Sequence, residues 1–207
     1  GGNTAINIHQ GDEMRVVGPS GALLPGHNSF DWGCSHSGFQ KIAWDASAAR
    51  FVMICRSDGF PNVGLNVNAG KLVSAISATD SAVSNVVVAA TAGSYWTLVS
   101  NSGALHLFRF TASGGTAADV SLGSGDEPHL VKYGSHLFAA WVASGANMTG
   151  QVLDASTGAA IGTPIPIAVP SNEFQDFRDF PDGSVAYPAP GSSPTKIKIV
   201  RVLPCSG

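Results

Sequence analysis

The segment Leu105-His106-Leu107-Phe108-Arg109-Phe110, followed closely by the turn Ala112-Ser113-Gly114, decides the fold of this chain. Its side chains alternate between apolar and polar types, and this period of two is typical of a β-strand that ends in a tight turn. The same arrangement returns twice further along, in strand-like runs at residues 150–153 and 197–202. The chain is therefore predicted to repeat one strand-and-turn unit.

The spacing of these turns indicates the architecture. Turns of small residues end at Gly21, Gly70, Gly114, Gly158 and Gly207, which lie 49, 44, 44 and 49 residues apart. Two more strand-like runs lie upstream in most units, and no segment keeps the 3.6-residue apolar period of a long helix. Units of four short strands at this spacing are typical of the blades of a β-propeller. A β-sandwich with coincidental spacing is the alternative.

The two ends of the chain predict how the ring closes. Gly1-Gly2-Asn3-Thr4-Ala5 resembles the internal segment Gly114-Gly115-Thr116-Ala117, and the final turn Cys205-Ser206-Gly207 matches Ala112-Ser113-Gly114. We expect residues 4–9 to form the outer strand of the C-terminal blade, which would protect an open sheet edge. The prediction is one all-β domain over residues 1–207, with about five four-stranded blades and four as the alternative.

Composition excludes two classes of partner. Charged residues make up only 12% of the 207 residues, and the net charge is −3 with scattered Lys and Arg. This pattern does not fit a nucleic-acid interface. The chain also lacks an apolar run long enough to span a membrane. A surface rich in Ser, Thr, Gly and Asn suits a secreted or extracellular protein.

The three cysteines permit at most one internal disulfide. Cys55 lies in an apolar run, where we expect a buried thiol. A bridge between Cys34 and Cys205 would tie the C-terminal tail to an early segment, but the sequence leaves the pairing open.

Several segments resemble propeller repeats of secreted bacterial proteins and of tachylectin-type lectins. The residues that carry the resemblance are 133–141, 181–187 and 32–37. The resemblance implies a propeller architecture and does not by itself name a function.

The leading functional hypothesis is a secreted, non-catalytic propeller that binds carbohydrate or a cell-surface glycan through loops on one face. The predicted patch consists of Asn28, Asp31, Trp32 and His36. Trp32 lies in a loop rich in turn-forming residues, and an exposed indole there could stack on a sugar face.

A metal site is a second hypothesis, with His27, Cys34 and His36 as its ligands. Cys34 and His36 are two residues apart and would share one face of an extended strand, where both could reach copper or zinc. A calcium site that uses part of the cluster Asp176, Asp179 and Asp182 is a further option. The competing interpretation is that these histidines are surface or hydrogen-bonded residues.

An enzyme is the third hypothesis. The sequence has no metalloprotease, phosphate-loop or nucleophile-elbow motif. A hydrolase or lyase would then use residues at the mouth of the axial tunnel, and the candidates are His129, Glu127, Glu173 and Asp176. A purely structural or partner-binding role fits the same pattern.

Overall fold

A computed structural model of the chain describes residues 4–8, 13–23, 40–56, 63–67, 71–76, 81–84, 87–89, 93–111, 113, 115–143, 147–168, 171 and 175–203. The regular structure in these ranges consists of β-strands. Within them there is no helix that could cross a membrane.

The described strands form five antiparallel sheets, numbered here in chain order. Sheet I contains β1 (Thr4–Ile8) and β2 (Glu13–Val17). Sheet II contains β3 (Gln40–Asp45), β4 (Arg50–Arg56), β5 (Val63–Val67) and β6 (Lys71–Ile76). Sheet III contains β7 (Ser81–Val83), β8 (Val87–Val88), β9 (Ser94–Asn101), β10 (Ala104–Thr111) and β11 (Thr116–Ser124). Sheet IV contains β12 (Asp126–Tyr133), β13 (His136–Val142), β14 (Met148–Asp154) and β15 (Ala160–Ile167). Sheet V contains β16 (Arg178–Asp179), β17 (Val185–Pro190) and β18 (Ile197–Val202).

Each sheet is a meander in which strands that follow one another in sequence pair with one another. Sheets II and IV have four strands in the order β3-β4-β5-β6 and β12-β13-β14-β15. Sheet III follows the same plan, except that two short strands, β7 and β8, both pair with β9 and together take the place of a first strand. The all-β class and the repeated four-stranded unit are therefore confirmed.

Apolar side chains on both faces of a strand allow each sheet to pack against the sheets on either side. On β9, Tyr95 and Val99 join a core cluster with sheet II, whereas Trp96 and Leu98 join a cluster with sheet IV. Successive side chains of a strand point to opposite faces, so one strand supplies both clusters. Seven of the eight residues of β9 are buried, so both faces of this strand are covered by neighbouring sheets.

Three core clusters lie between successive sheets. The first joins sheets II and III, the second joins sheets III and IV, and the third joins sheets IV and V. Two aromatic residues on the second strands β13 and β17 belong to these clusters: Trp141 is 6% exposed and Tyr187 is 1% exposed. Stacked sheets that bury both faces in this way are what a propeller requires.

Glycine is required at one of the predicted turns. Gly158 has a φ of 77°, and a Cβ at this position would lie 2.9 Å from Cδ2 of Leu107 and 3.1 Å from the ring of Trp96. Only glycine accepts this backbone conformation without strain. The turn after β14 can therefore pack directly against sheet III.

The structure shows a strand at the N-terminal end of the chain, and the partner that it gives this strand is β2. β1 pairs with β2 over five residue pairs, from Thr4 with Val17 to Ile8 with Glu13. Pairing of β1 with the C-terminal blade, and the number of blades, stay predictions.

The expectation for Cys55 was partly wrong. Its side chain is fully buried on β4, as predicted, but the residue is disulfide-bonded rather than a free thiol. Cys34 and Cys205 lie outside the described residues.

Candidate functional site

The first strands of sheets II to V run side by side around a central space. β3 contacts β8, and β12 contacts β7, β8 and β16. The N-terminal parts of β3, β12 and β16 lie at one end of this space, and the C-terminal parts of the same strands lie at the other end. We call the first end the mouth, defined by Lys41, His129 and Asp176.

An ion pair at the mouth joins sheets that are far apart in sequence. Lys41, the second residue of β3, places Nζ 2.8 Å from Oδ1 of Asp176, which lies just before β16. The two residues are 135 positions apart. Arg178 also contacts this carboxylate, with its guanidinium 3.2 Å from Oδ2. Asp176 is thus held between two cations, while 29% of its side chain stays exposed.

His129 brings a third element to the mouth. Its side chain is 4% exposed and stacks on Phe177, with ring centroids 4.6 Å apart. Burial and, to a smaller extent, the positive charge of Lys41 lower the pKa of His129 to about 4, although the carboxylate of Asp176 acts in the opposite direction. The imidazole is therefore neutral at physiological pH.

The hydrogen bonding of His129 fixes which nitrogen carries the proton. Nε2 has no hydrogen-bond partner among the described residues, and the ring makes one bond to the backbone of Gln175. That bond favours the protonated form, so Nδ1–H donates to the Gln175 carbonyl. Nε2 then keeps a lone pair that can accept a proton.

Glu127 lies two residues before His129 on β12. Burial raises the pKa of its carboxyl, and the neighbouring charge of Asp126 raises it further. Its backbone has a φ of 49°, an unusual value for a residue other than glycine. The ladder between β12 and β13 is irregular at this point, between Asp126 and His129. A carboxyl that holds its proton more tightly than usual is suited to donating it.

The opposite end of the first strands holds a cavity of about 740 Å³. Its wall contains Ile42, Val87, Leu130 and Phe177, so four sheets contribute to it. Ile42, Leu130 and Phe177 each directly follow a mouth residue in sequence. The mouth and the cavity are therefore neighbouring layers of one central space.

A buried polar network lies beside the cavity. Asp45 is fully buried, and its carboxylate accepts hydrogen bonds from Tyr95 at 2.7 Å and from the hydroxyl of Ser47 at 2.6 Å. Although burial opposes ionisation, these bonds and those from the backbone lower the pKa of Asp45. Arg50 donates to the Tyr95 hydroxyl and completes a contact between sheets II and III. The hydrogen bonds of this network hold the two sheets together.

The structure brings together only part of the predicted residues. Asn28, Asp31, Trp32 and His36 of the predicted glycan patch, and His27 and Cys34 of the predicted metal site, lie outside the described residues, as does Glu173. His129 and Asp176 meet at the mouth. Among the described residues there is no group of three potential metal ligands.

The three aspartates of the suggested calcium cluster have different surroundings. Asp176 is at the mouth, Asp179 lines the cavity, and Asp182 accepts hydrogen bonds from the backbone and hydroxyl of Ser184 in the turn to β17. Arg201 also pairs with Asp182. This last aspartate therefore has a structural role in the turn.

Sequence reasoning missed Lys41, Arg178 and Phe177. Lys41 had one available signal, because it lies near the start of a strand-like run. Its partner could not be read from the sequence, since contacts over 135 residues depend on the stacking of sheets.

Comparison with known proteins supports the propeller architecture. The sequence matches no protein-family model and no curated protein. In structure, the chain is similar to an α-L-arabinofuranosidase from Clostridium thermocellum, with a TM-score of 0.58 and 13% identity over 83% of this chain and 70% of that one. A GH43B protein of a Bacteroides ovatus xyloglucan locus gives a TM-score of 0.56 and 13% identity over 81% of this chain, which spans 39% of that protein. A luciferin-regenerating enzyme gives a TM-score of 0.56 and 10% identity over 99% of this chain and 75% of that one.

These likenesses show the fold, a β-propeller, and correct two expectations. The similarity is to enzymes, including an arabinofuranosidase, and not to tachylectin-type lectins. The hypothesis of a non-catalytic glycan-binding propeller is therefore wrong.

Proposed function

We propose that the protein is a glycoside hydrolase whose reaction takes place at the mouth. The observation that carries the proposal is the meeting of Lys41, His129 and Asp176, which come from three different sheets and gather where the first strands begin. The structural similarity to an arabinofuranosidase from Clostridium thermocellum supports carbohydrate as the substrate class.

Glycoside hydrolysis requires one carboxyl group that donates a proton and a second that is ionised. Asp176 is the candidate for the ionised group, because Lys41 and Arg178 both stabilise its negative charge. Glu127 is the candidate acid, because burial and Asp126 raise the pKa of its carboxyl. In this assignment Glu127 donates its proton to the leaving oxygen, and Asp176 acts on the other side of the sugar as base or nucleophile.

His129 and Lys41 act as positioning residues. Lys41 orients the carboxylate of Asp176 through the ion pair, and the neutral His129 fills the space beside it without adding a positive charge. A protonated imidazole here would compete with Lys41 for the carboxylate. The low pKa of His129 therefore keeps the arrangement constant over the physiological range.

Hydrolysis of aryl arabinofuranosides, xylosides and galactosides tests the proposal. We expect Asp176→Asn and Glu127→Gln each to lower kcat/KM by about 10²- to 10⁴-fold, the usual contribution of an acid or base group. Asp119→Asn is the matched control, because this carboxylate is also paired with a basic side chain, His106 at 2.7 Å, but lies on the outer strand β11. No turnover of any glycoside by the wild type, or equal loss in the control, would exclude the assignment.

A further inference from the structure

The cavity at the far end of the first strands contains polar groups that the proposed reaction does not use. Its volume of about 740 Å³ is within the range of small-ligand pockets, which is about 300–1,000 Å³. Lining residues include Trp44, Lys132, His136 and Asp179, all of which follow the mouth residues along the same strands or turns.

Trp44 provides an aromatic surface at this cavity. The residue is 48% exposed, and its ring packs against Phe51 with centroids 4.8 Å apart. One side of the indole is thus supported by the sheet while much of the residue faces solvent. An exposed, supported indole is a common platform for a flat, partly apolar ligand.

The polar groups of the cavity have unused hydrogen-bonding capacity. Nδ1 of His136 is buried and has no hydrogen-bond partner among the described residues. No ion pair is formed by Lys132 or Asp179 with another described residue. Buried polar atoms are rarely left unsatisfied without a reason, and a bound ligand would supply the partner.

The charges of the cavity favour an uncharged ligand. Lys132 and Asp179 carry opposite charges, so an anion attracted by one would be repelled by the other. Asp45 and Arg178 also line the cavity, but Asp45 is taken up by Tyr95 and Ser47, and Arg178 is paired with Asp176. A neutral molecule with one apolar face and several hydroxyl groups fits this lining. Its apolar face could lie on the indole, and its hydroxyl groups could bond to the imidazole nitrogen and to the two charged groups.

We propose that this cavity is a second saccharide site, separate from the mouth, in which Trp44 stacks on a sugar ring and His136 bonds to its hydroxyl groups. The choice of ligand class rests on the proposed function, and the location rests on the cavity itself. Such a site would hold a neutral chain in the layer of the central space that lies next to the mouth.

Calorimetric titration with neutral arabino-, xylo- and galacto-oligosaccharides tests this site. The Asp176→Asn protein serves as the background, so that no ligand is consumed. In this background we expect Trp44→Ala to weaken binding roughly tenfold or more, as for a central aromatic contact. Trp44→Phe keeps a ring and should weaken binding less. Phe180→Ala is the matched control, because Phe180 is 44% exposed but does not line the cavity, and binding should be unchanged.

Three results would overturn the proposal. These are no binding of any of the three saccharides, equal affinity with and without Trp44, and loss of wild-type binding on Asp176→Asn alone. Thermal unfolding of each variant checks that the protein is folded, and Trp44→Phe provides a second folded comparison. If binding depends on Trp44 but no glycoside is hydrolysed, only the proposed function fails. If hydrolysis depends on Asp176 but Trp44 has no effect on binding, only the second site fails.

Discussion

The mouth and the cavity are built from the same first strands but differ in whether a lysine and an aspartate form an ion pair. At the mouth, Lys41 and Asp176 pair at 2.8 Å, and the lysine side chain is only 13% exposed. At the cavity, Lys132 and Asp179 have no such partner among the described residues. Phe177 lies between the two regions, next to Asp176 in sequence and in the cavity wall. This difference is what the two proposed roles require, because a reaction at the mouth needs charges held in place and a ligand in the cavity needs available polar groups.

Removing the aromatic ring of Phe177, which lies between the two regions, should have the largest effect on stability. Phe177 is 1% exposed and stacks between His129 at 4.6 Å and Tyr187 at 4.3 Å. We expect Phe177→Ala to lower the free energy of unfolding by about 3–5 kcal/mol, the usual cost of truncating a buried phenylalanine. Urea denaturation measures this quantity.

The nearby Phe180 provides the control for this change. It is 44% exposed, so Phe180→Ala should cost less than about 1 kcal/mol. Equal losses of stability in the two variants would contradict a stabilising role of the aromatic stack around Phe177.

The neutral imidazole of the mouth predicts a dependence of stability on pH. His129 binds a proton near pH 6.5 in the unfolded chain but only near pH 4 in the folded one. The unfolded state therefore binds more protons between these values, and stability falls as the pH drops from about 6.5 to 4. The loss from this residue is about 3 kcal/mol at most.

The variant His129→Phe isolates this contribution, because it keeps an aromatic ring against Phe177 and removes the titrating group. Unfolding free energies measured from pH 4 to pH 8 should fall less steeply at acid pH in the variant than in the wild type. Parallel curves for the two proteins would contradict a buried neutral histidine.

The sequence was sufficient to predict the strands but not the contacts between sheets. The predicted strand at residues 197–202 coincides with β18, and the turn at residues 181–183 joins β16 to β17. These features depend on local alternation and turn residues, which the sequence shows directly.

Sheet V also shows where local reasoning failed. Residues 174–180 form a strand-like run in the sequence, but β16 contains only Arg178 and Asp179. In this segment Phe177 is buried by aromatic stacking, and Asp176 is held by Lys41 from sheet II. Both interactions depend on residues from other sheets, so no local pattern could have predicted them.

A comparison of the two lysines gives the smallest expected effects and the most direct test of the contrast between the mouth and the cavity. Lys41→Met should lower the free energy of unfolding by about 1–2 kcal/mol, because it leaves the partly buried Asp176 with Arg178 as its cationic partner. Lys132→Met should change stability by less than about 0.5 kcal/mol, because an exposed lysine without an ion pair loses little. Methionine keeps the length of the apolar stem in both variants, so the difference between them reports the charge. Equal effects of the two substitutions in thermal or urea unfolding would contradict the contrast, because the ion pair of Lys41 would then add no stability beyond that of an unpaired lysine.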